Sequence, residues 1–426
     1  MIAILTYAFE LLILALLKLF GIEEMPTAVV VALMSISVFT YPSSVSDKPY
    51  TKIVVNALFC GLLLRIFFIF FDIYGAHILV LPGSGADSVV FFAGASRYAR
   101  GGEGMRGLYS EVMGTFFKCF GISRISGQFF NCMCSMVALT YVAKMLEMLK
   151  IDIPTRKKVM WILCLLPNFA IMSIVFLRES IMIMFLTISL YEYLRWFAQK
   201  GNIHFLLAMV YVFMAALFHS GTIAVAVGYM LSLLLYDNKN KKIKITAQSI
   251  ALTCIFVLIA AFVLSRSGDT FLGKFSKVES IEDVGYSNDR GGSSYAKYVG
   301  NSNSIANFVI YAIPRIVFFL FSPMPWMLRG INDIITLCFN SVFYIYVLFK
   351  AIGYLKNEDK PDKTLVFLLL VCCIGTAFVF AWGTINAGTA LRHRDKIFTI
   401  WIVILALVER KGFESVADID SAKLPK

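Results

Sequence analysis

Residues 159–236 read VMWILCLLPNFAIMSIVFLRESIMIMFLTISLYEYLRWFAQKGNIHFLLAMVYVFMAALFHSGTIAVAVGYMLSLLLY, four apolar runs at 159–176, 180–198, 203–218 and 220–236. About 20 apolar residues cross the roughly 30 Å hydrocarbon core of a bilayer as a helix. Strand-type alternation is absent from these runs. In lipid every backbone polar group needs a partner within its own segment, so runs of this length read as helices. The polar interruptions between them are a few residues long, which leaves room for a turn and nothing more.

The pattern extends in both directions. Further runs at 2–19, 27–41, 53–71, 126–147, 247–265, 334–354, 364–384 and 396–409 bring the expected number of spans to about twelve. The predicted fold class is all-α, a polytopic transmembrane helical bundle. Pro167 predicts a kink or break within 159–176. Another apolar segment, 304–328, is interrupted by Pro314, Arg315, Pro323 and Pro325. It is expected to be re-entrant or interfacial, because broken backbone at membrane depth is tolerated where protein or a wet cavity satisfies it. Residues 1–410 are expected to form one transmembrane domain and 411–426 a short cytoplasmic tail. The first run begins at Ile2 without a basic leader or a small-residue cleavage site, and is expected to be an uncleaved span.

Composition agrees with this class. The 426 residues are 59% hydrophobic and 15% charged, with a mean hydropathy of +0.77. Soluble domains lie nearer 45–50% apolar and about 25% charged. The net charge of +12 suits an anionic inner leaflet. Nucleic acid is not expected as a partner, since no soluble domain presents a basic groove. Nine cysteines lie almost all within apolar runs, without zinc spacing, and read as small apolar filler. There is no GxGxxG before a helix, no Walker loop, no HExxH and no nucleophile elbow, so no metal and no cofactor is expected.

The cations segregate by type. With the N-terminus inside, inner segments hold 17 Lys and 3 Arg, and outer segments hold 11 Arg and 5 Lys. Positive charge inside orients a membrane protein. Arginine held outside needs another reason, and the planar guanidinium fork suits phosphate and carboxylate oxygens. Two outer loops are long, 72–125 and 266–333; the Ser287–Ser304 stretch within the second is polar and expected to order over a substrate.

Five outer constellations are candidates for chemistry. Arg178 and Glu179 occupy an almost absent loop, where a charge so close to hydrocarbon is usually functional; a simple pair at a tight turn is the alternative. His219 occupies a second near-absent loop on the same face and can bond phosphate or move a proton. Asp87 follows Gly83-Ser84-Gly85 and is either a base or sugar-hydroxyl ligand, or a cap for the apolar run after it. Arg392, His393 and Arg394 open the last span as an anion site. Arg315 and Arg329 flank the Pro-rich break at 323–325. Arg178, His219, Arg392 and Arg394 are expected to converge on one outer cavity.

The stretch 177–230, with Leu177-Arg178-Glu179-Ser180 and Ala216-Leu217-Phe218-His219-Ser220 as its polar corners, resembles the EpsG-like bacterial polysaccharide polymerases, relatives in role of the Wzy O-antigen and capsule polymerases. Glu179 stands where that group commonly has Gln. The resemblance implies a membrane glycosyltransferase of GT-C-like architecture in the bacterial plasma membrane, with its active site facing outward. It implies glycosyl transfer between undecaprenyl-pyrophosphate-linked glycans, with Asp87, Arg178 and His219 as catalytic residues. Arg392, His393, Arg394, Arg329, Arg315 and Glu179 would bind substrate and pyrophosphate, and a flippase and a chain-length regulator would be partner proteins. The alternatives are a transferase using a polyprenyl-phosphate sugar, an O-antigen ligase, or a lipid or polysaccharide transporter.

Overall fold

A computed structural model describes residues 48–198, 201–237, 242–243, 293–300, 305–357 and 360–411, together with scattered positions between Leu11 and Ile36. Most of the expected spans 2–19 and 27–41, all of 247–265, most of Ser287–Ser304 and nearly all of the tail after 410 lie outside the described residues. What is described is helical, apart from a two-residue ladder pairing Tyr236–Asp237 with Lys242–Ile243 and an isolated bridge between Ser294 and Asn386. Four helices, Lys52–Tyr74, Arg124–Met148, Ile331–Lys356 and Lys363–Trp382, are long and apolar enough to cross a membrane. They fall on the expected spans 53–71, 126–147, 334–354 and 364–384. Asn202–Phe218, Ser220–Ser232 and Val309–Phe321 are shorter apolar helices.

The chain divides into two compact units, one of residues 1–147 and 151–187, the other of 148–150 and 188–426. In the first unit, α1 (Lys48–Tyr74) packs on α5 (Ile153–Leu165). The segment 72–125, expected as a loop, is instead largely a helical hairpin of α2 (Ala86–Ala99) and α3 (Leu108–Phe120). A Cβ at Gly114 would stand 2.7 Å from the Tyr98 ring and 2.8 Å from the Ala95 carbonyl, so only glycine allows this approach. These helices are 14 and 13 residues long, too short to read as spans. Next comes α4 (Arg124–Met148).

The run 159–176 is broken at Leu166, as Pro167 predicts, into α5 and a short α6 (Pro167–Met172). The last carbonyls of α5 therefore lose helical partners. The buried Arg65 of α1 answers this: its Nη1 donates to the Cys164 carbonyl at 3.0 Å, and its Nε to Ser135 Oγ at 3.1 Å. An arginine at membrane depth thus serves a broken helix, as the chemistry of a dry environment requires.

Helix α7 (Glu179–Phe197) carries the chain into the second unit. There α8 (Asn202–Phe218) and α9 (Ile223–Leu235) form a tight pair, and α9 lies along a later helix, α12 (Lys363–Trp382). Before α12 come α10 (Ile305–Phe321) and α11 (Val342–Lys356). Helix α10 runs through Pro314, which the sequence reading took as an interruption; one missing N–H removes one hydrogen bond and the neighbouring turns persist. The chain breaks only afterwards, at 322–324. Finally α13 (Ala387–Arg394) and α14 (Phe398–Glu409) are joined by one 3₁₀ turn, with α14 buried along nearly its whole length.

Candidate functional site

Arg178 stands at a corner that the first unit builds with care. Between α6 and α7 the backbone of Ser173–Arg178 is not helical beyond single turns, so its carbonyls need outside donors. Asn131, buried in α4, supplies them: its Nδ2 donates to the Val175 carbonyl at 2.7 Å and to the Leu177 carbonyl at 3.1 Å. The hydroxyl of the buried Tyr109 meets the Asn131 side chain at 3.0–3.2 Å and fixes it. Burial raises the Tyr109 phenol well above its ordinary range, so it stays a neutral donor. Phe176 plugs the corner into an aromatic cluster, with ring centroids 5.5 Å from Phe92, 5.5 Å from Tyr109 and 5.9 Å from Phe117. The Arg178 guanidinium then lies over the Phe91 ring at 5.8 Å. Glu179 begins α7 and is buried, where the positive end of the helix dipole favours a carboxylate.

Asp87 lies in the first turn of α2 rather than at its cap, which is Gly85. Its side chain is 39% exposed and pairs with Arg106 at 3.4 Å. A second carboxylate in the same unit is far more enclosed. Asp72, at the end of α1, has a side chain only 1% exposed. Its Oδ2 accepts from Gln128 Nε2 at 2.7 Å and from Arg124 Nη2 at 3.4 Å, and Arg124 also reaches Ser84 and Ser88. Sequence reading passed over Asp72, Arg124, Gln128 and Asn131.

The second unit brings His219 and His393 together. His219 caps α8 in an extended conformation, and its Nδ1 accepts from the Gly221 N–H at 3.2 Å. A Cβ at Gly221 would press to 2.7 Å from the Phe380 ring, so the His-Ser-Gly turn needs its glycine. The rings of His219 and His393 meet edge to face, with centroids 5.0 Å apart, and His393 stacks on Phe380 at 4.7 Å. Lys396 Nζ lies 2.6 Å from His393 Nδ1 and 5.0 Å from the centre of the Phe380 ring. Assigned from these contacts, both imidazoles accept at Nδ1 and carry their proton on Nε2. The result is a basic cluster in which two imidazole N–H groups stand in front of a fully buried ammonium.

The neighbouring arginines divide by burial. Arg392 and His393 are half-buried. Arg394, expected as an anion ligand, is fully buried and directed into backbone: its Nη1 donates to the carbonyls of Phe319, Leu320 and Ser322 at 3.2, 3.0 and 2.6 Å. It thereby satisfies the open end of α10, where cations are favoured. Beside it the buried Asp395 accepts from Asn340 at 2.9 Å, and burial lifts its carboxyl to about 6 against the pull of Arg394. Arg315 donates to the Gly300 carbonyl and lies 4.4 Å from the centre of the Trp382 ring. Arg329 pairs with Asp333, four residues on, at 3.4 Å. The short stretch before Gly300 is fastened to the start of α13: Tyr295 N donates to Ile385 O at 2.7 Å and Ala387 N to Ser293 O at 3.0 Å.

Of the expected site residues, Asp87, Arg178 and Glu179 thus belong to the first unit, and His219, Arg315, Arg329, Arg392, His393 and Arg394 to the second. Among the described residues no group of three His, Cys, Asp or Glu side chains is placed to hold a metal. Compared with known proteins, the chain matches no family model, no curated sequence and no solved structure, so its function is argued from these residues.

Proposed function

We propose that the protein is a membrane glycosyltransferase that polymerises lipid-linked oligosaccharide repeat units at the outer face of a bacterial plasma membrane. The reading rests most on the meeting of His219 with His393 beside Lys396, far apart in sequence and both drawn from outer corners of the expected topology. In the reaction an acceptor hydroxyl oxygen bonds to the anomeric carbon of the donor glycan. The bond from that carbon to the pyrophosphate oxygen breaks, and undecaprenyl pyrophosphate leaves with the electron pair. The hydroxyl proton passes to a carboxylate, for which Asp87 is the candidate. Charge grows on the leaving phosphate, and fixed donors aimed at such charge are the largest usual source of rate. His219, His393 and Arg392 supply N–H donors and positive charge in the second unit, with the fully buried Lys396 set behind His393, and Arg178 is the candidate planar fork of the first. Arg394 and Arg315 act behind them, holding the backbone of α10 and Gly300.

The test is deletion of the gene, followed by inspection of surface glycan. Loss of the polymer ladder with survival of a single repeat unit supports polymerisation. Loss of all lipid-linked intermediate points to a flippase or an earlier transferase and removes the proposal. Asp87→Asn at unchanged protein abundance should give the same single-repeat pattern.

A further inference from the structure

A groove of about 380 Å³ opens toward the C-terminal end of α11, lined by Tyr346, Phe349, Lys350, Tyr354, Lys360 and Val408 among others. None of these residues has a part in the proposed chemistry. Lys350 Nζ lies 5.6 Å from the centre of the Tyr346 ring, and Lys360 Nζ lies 5.6 Å from that of Tyr354. The rings hold the two ammonium groups without neutralising them. Among the described residues, Glu409 accepts from the Tyr346 hydroxyl, and Asp362 pairs with Arg410 at 2.9 Å. Two cations thus face one groove.

An apolar track leads to it. Phe339, Val342, Tyr346, Phe349 and Ile352 are all exposed, Phe349 by 71%. Their spacing of three and four residues places them on one helical face. From Val342 to Ile352 is ten residues of α11, about 15 Å of helix at 1.5 Å per residue. That is half the roughly 30 Å hydrocarbon core, the depth of one leaflet.

We infer that this groove and track form a site for one anionic phospholipid, with its phosphate between Lys350 and Lys360 and an acyl chain along Phe339–Ile352. The lysines supply the charge complement, and the track matches the length of an acyl chain rather than of a free phosphate. In the sequence-derived orientation the leaflet is the cytoplasmic one, whose anionic lipids attract such lysines. The inference is independent of glycosyl transfer, and an inactive or a non-polymerising protein would bind the lipid equally well.

The full-length chain, purified in detergent, is offered phosphatidylglycerol or phosphatidylcholine, and bound lipid is counted by native mass spectrometry. Wild type should retain one phosphatidylglycerol in preference to phosphatidylcholine. The double variant Lys350→Gln/Lys360→Gln should bind phosphatidylglycerol about 30-fold more weakly, each lysine near an anionic surface contributing about 1 kcal/mol and 1.4 kcal/mol being tenfold. Phe349→Ser should weaken both lipids while keeping the preference. Unchanged phosphatidylglycerol binding in the double variant overturns the site. Equal competition by water-soluble glycerol 3-phosphate also overturns it, because the track would then be idle.

Discussion

His393 stands edge to face against His219 with ring centroids 5.0 Å apart, and a single aromatic ring, Phe380, lies beneath the pair. Residues from the α8–α9 turn and from α13 thereby form one unit of donors. If both imidazoles act on the same leaving phosphate, removing either should spoil the arrangement for the other. His219→Ala and His393→Ala should each slow polymer synthesis by about 10²-fold, in the range of a positioned imidazole. The double variant should be little worse than either single one, since residues that act as a unit are non-additive. In vitro synthesis from purified lipid-linked repeats is the measurement. Fully multiplied losses would separate the two histidines into independent roles.

Arg178→Lys should be severely impaired although it keeps the charge. An ammonium lacks the planar fork for two phosphate oxygens and the delocalised face that the guanidinium brings to the Phe91 ring, 5.8 Å from its centre. Losing one charge-assisted hydrogen bond costs about 1.5–3 kcal/mol, or roughly 10- to 150-fold if the contact forms in the transition state. Arg195→Lys is the matched comparison. Arg195 pairs with Glu192 at 3.5 Å near the far end of α7, a contact that lysine can keep, and its rate should hold. Equal tolerance at both positions would make Arg178 an anchor.

The helical class and four of the expected spans were legible because apolar runs near 20 residues have few other readings. The break at Pro167 was legible for the same local reason. Helix α2 was legible only as the apolar run that Asp87 could cap, and α3 was not, being short and set off by the glycines around 101–107, which resemble loop. The arginine asymmetry was visible, but its meaning was not uniform. Arg65 and Arg394 satisfy carbonyls at the ends of α5 and α10, and only the fold tells a backbone cap from a ligand. One missed signal was present in the text itself. Arg124, Gln128, Asn131 and Ser135 recur at helical spacing inside α4 and form a polar stripe. Their partners are Asp72, Asp72, Tyr109 with the 175–177 carbonyls, and Arg65. Polar groups at such spacing in an apolar run mark an interior face, since buried polar groups demand partners.

That stripe carries a stability prediction. Asn131→Leu strips the side-chain donor from the Leu177 carbonyl and leaves the Val175 carbonyl only the Leu177 N–H at 2.6 Å, and an unsatisfied buried group costs about 1–3 kcal/mol. The variant should melt at clearly lower temperature in detergent and lose the fixed approach to Arg178. Tyr109→Phe keeps those two bonds and removes only the hydroxyl beneath them, so its loss should be nearer 1 kcal/mol. Thermal unfolding followed by circular dichroism ranks the two. A Tyr109→Phe effect as large as that of Asn131→Leu would mean that the hydroxyl, not the amide, holds the corner.

Asp395 predicts a pH dependence of opposite sign to that of most carboxylates. Its carboxyl is lifted from 3.8 to about 6, chiefly by burial, with Arg394, Asn340 and Tyr344 pulling the other way. Between those two values the folded chain holds a proton on Asp395 that the unfolded chain has released. Stability from this group is therefore fully present below pH 3.8, falls as pH rises, and is gone above about 6. The whole span is worth about 3 kcal/mol at 1.36 kcal/mol per unit. Other carboxylates contribute slopes of their own, so the difference between wild type and Asp395→Asn is the quantity to follow. Unfolding measured from pH 4 to pH 7 should show wild type losing ground steadily against the variant, with most of the change complete by pH 6. Parallel curves would mean that Asp395 stays ionised beside Arg394 and that burial has been overcome by the guanidinium.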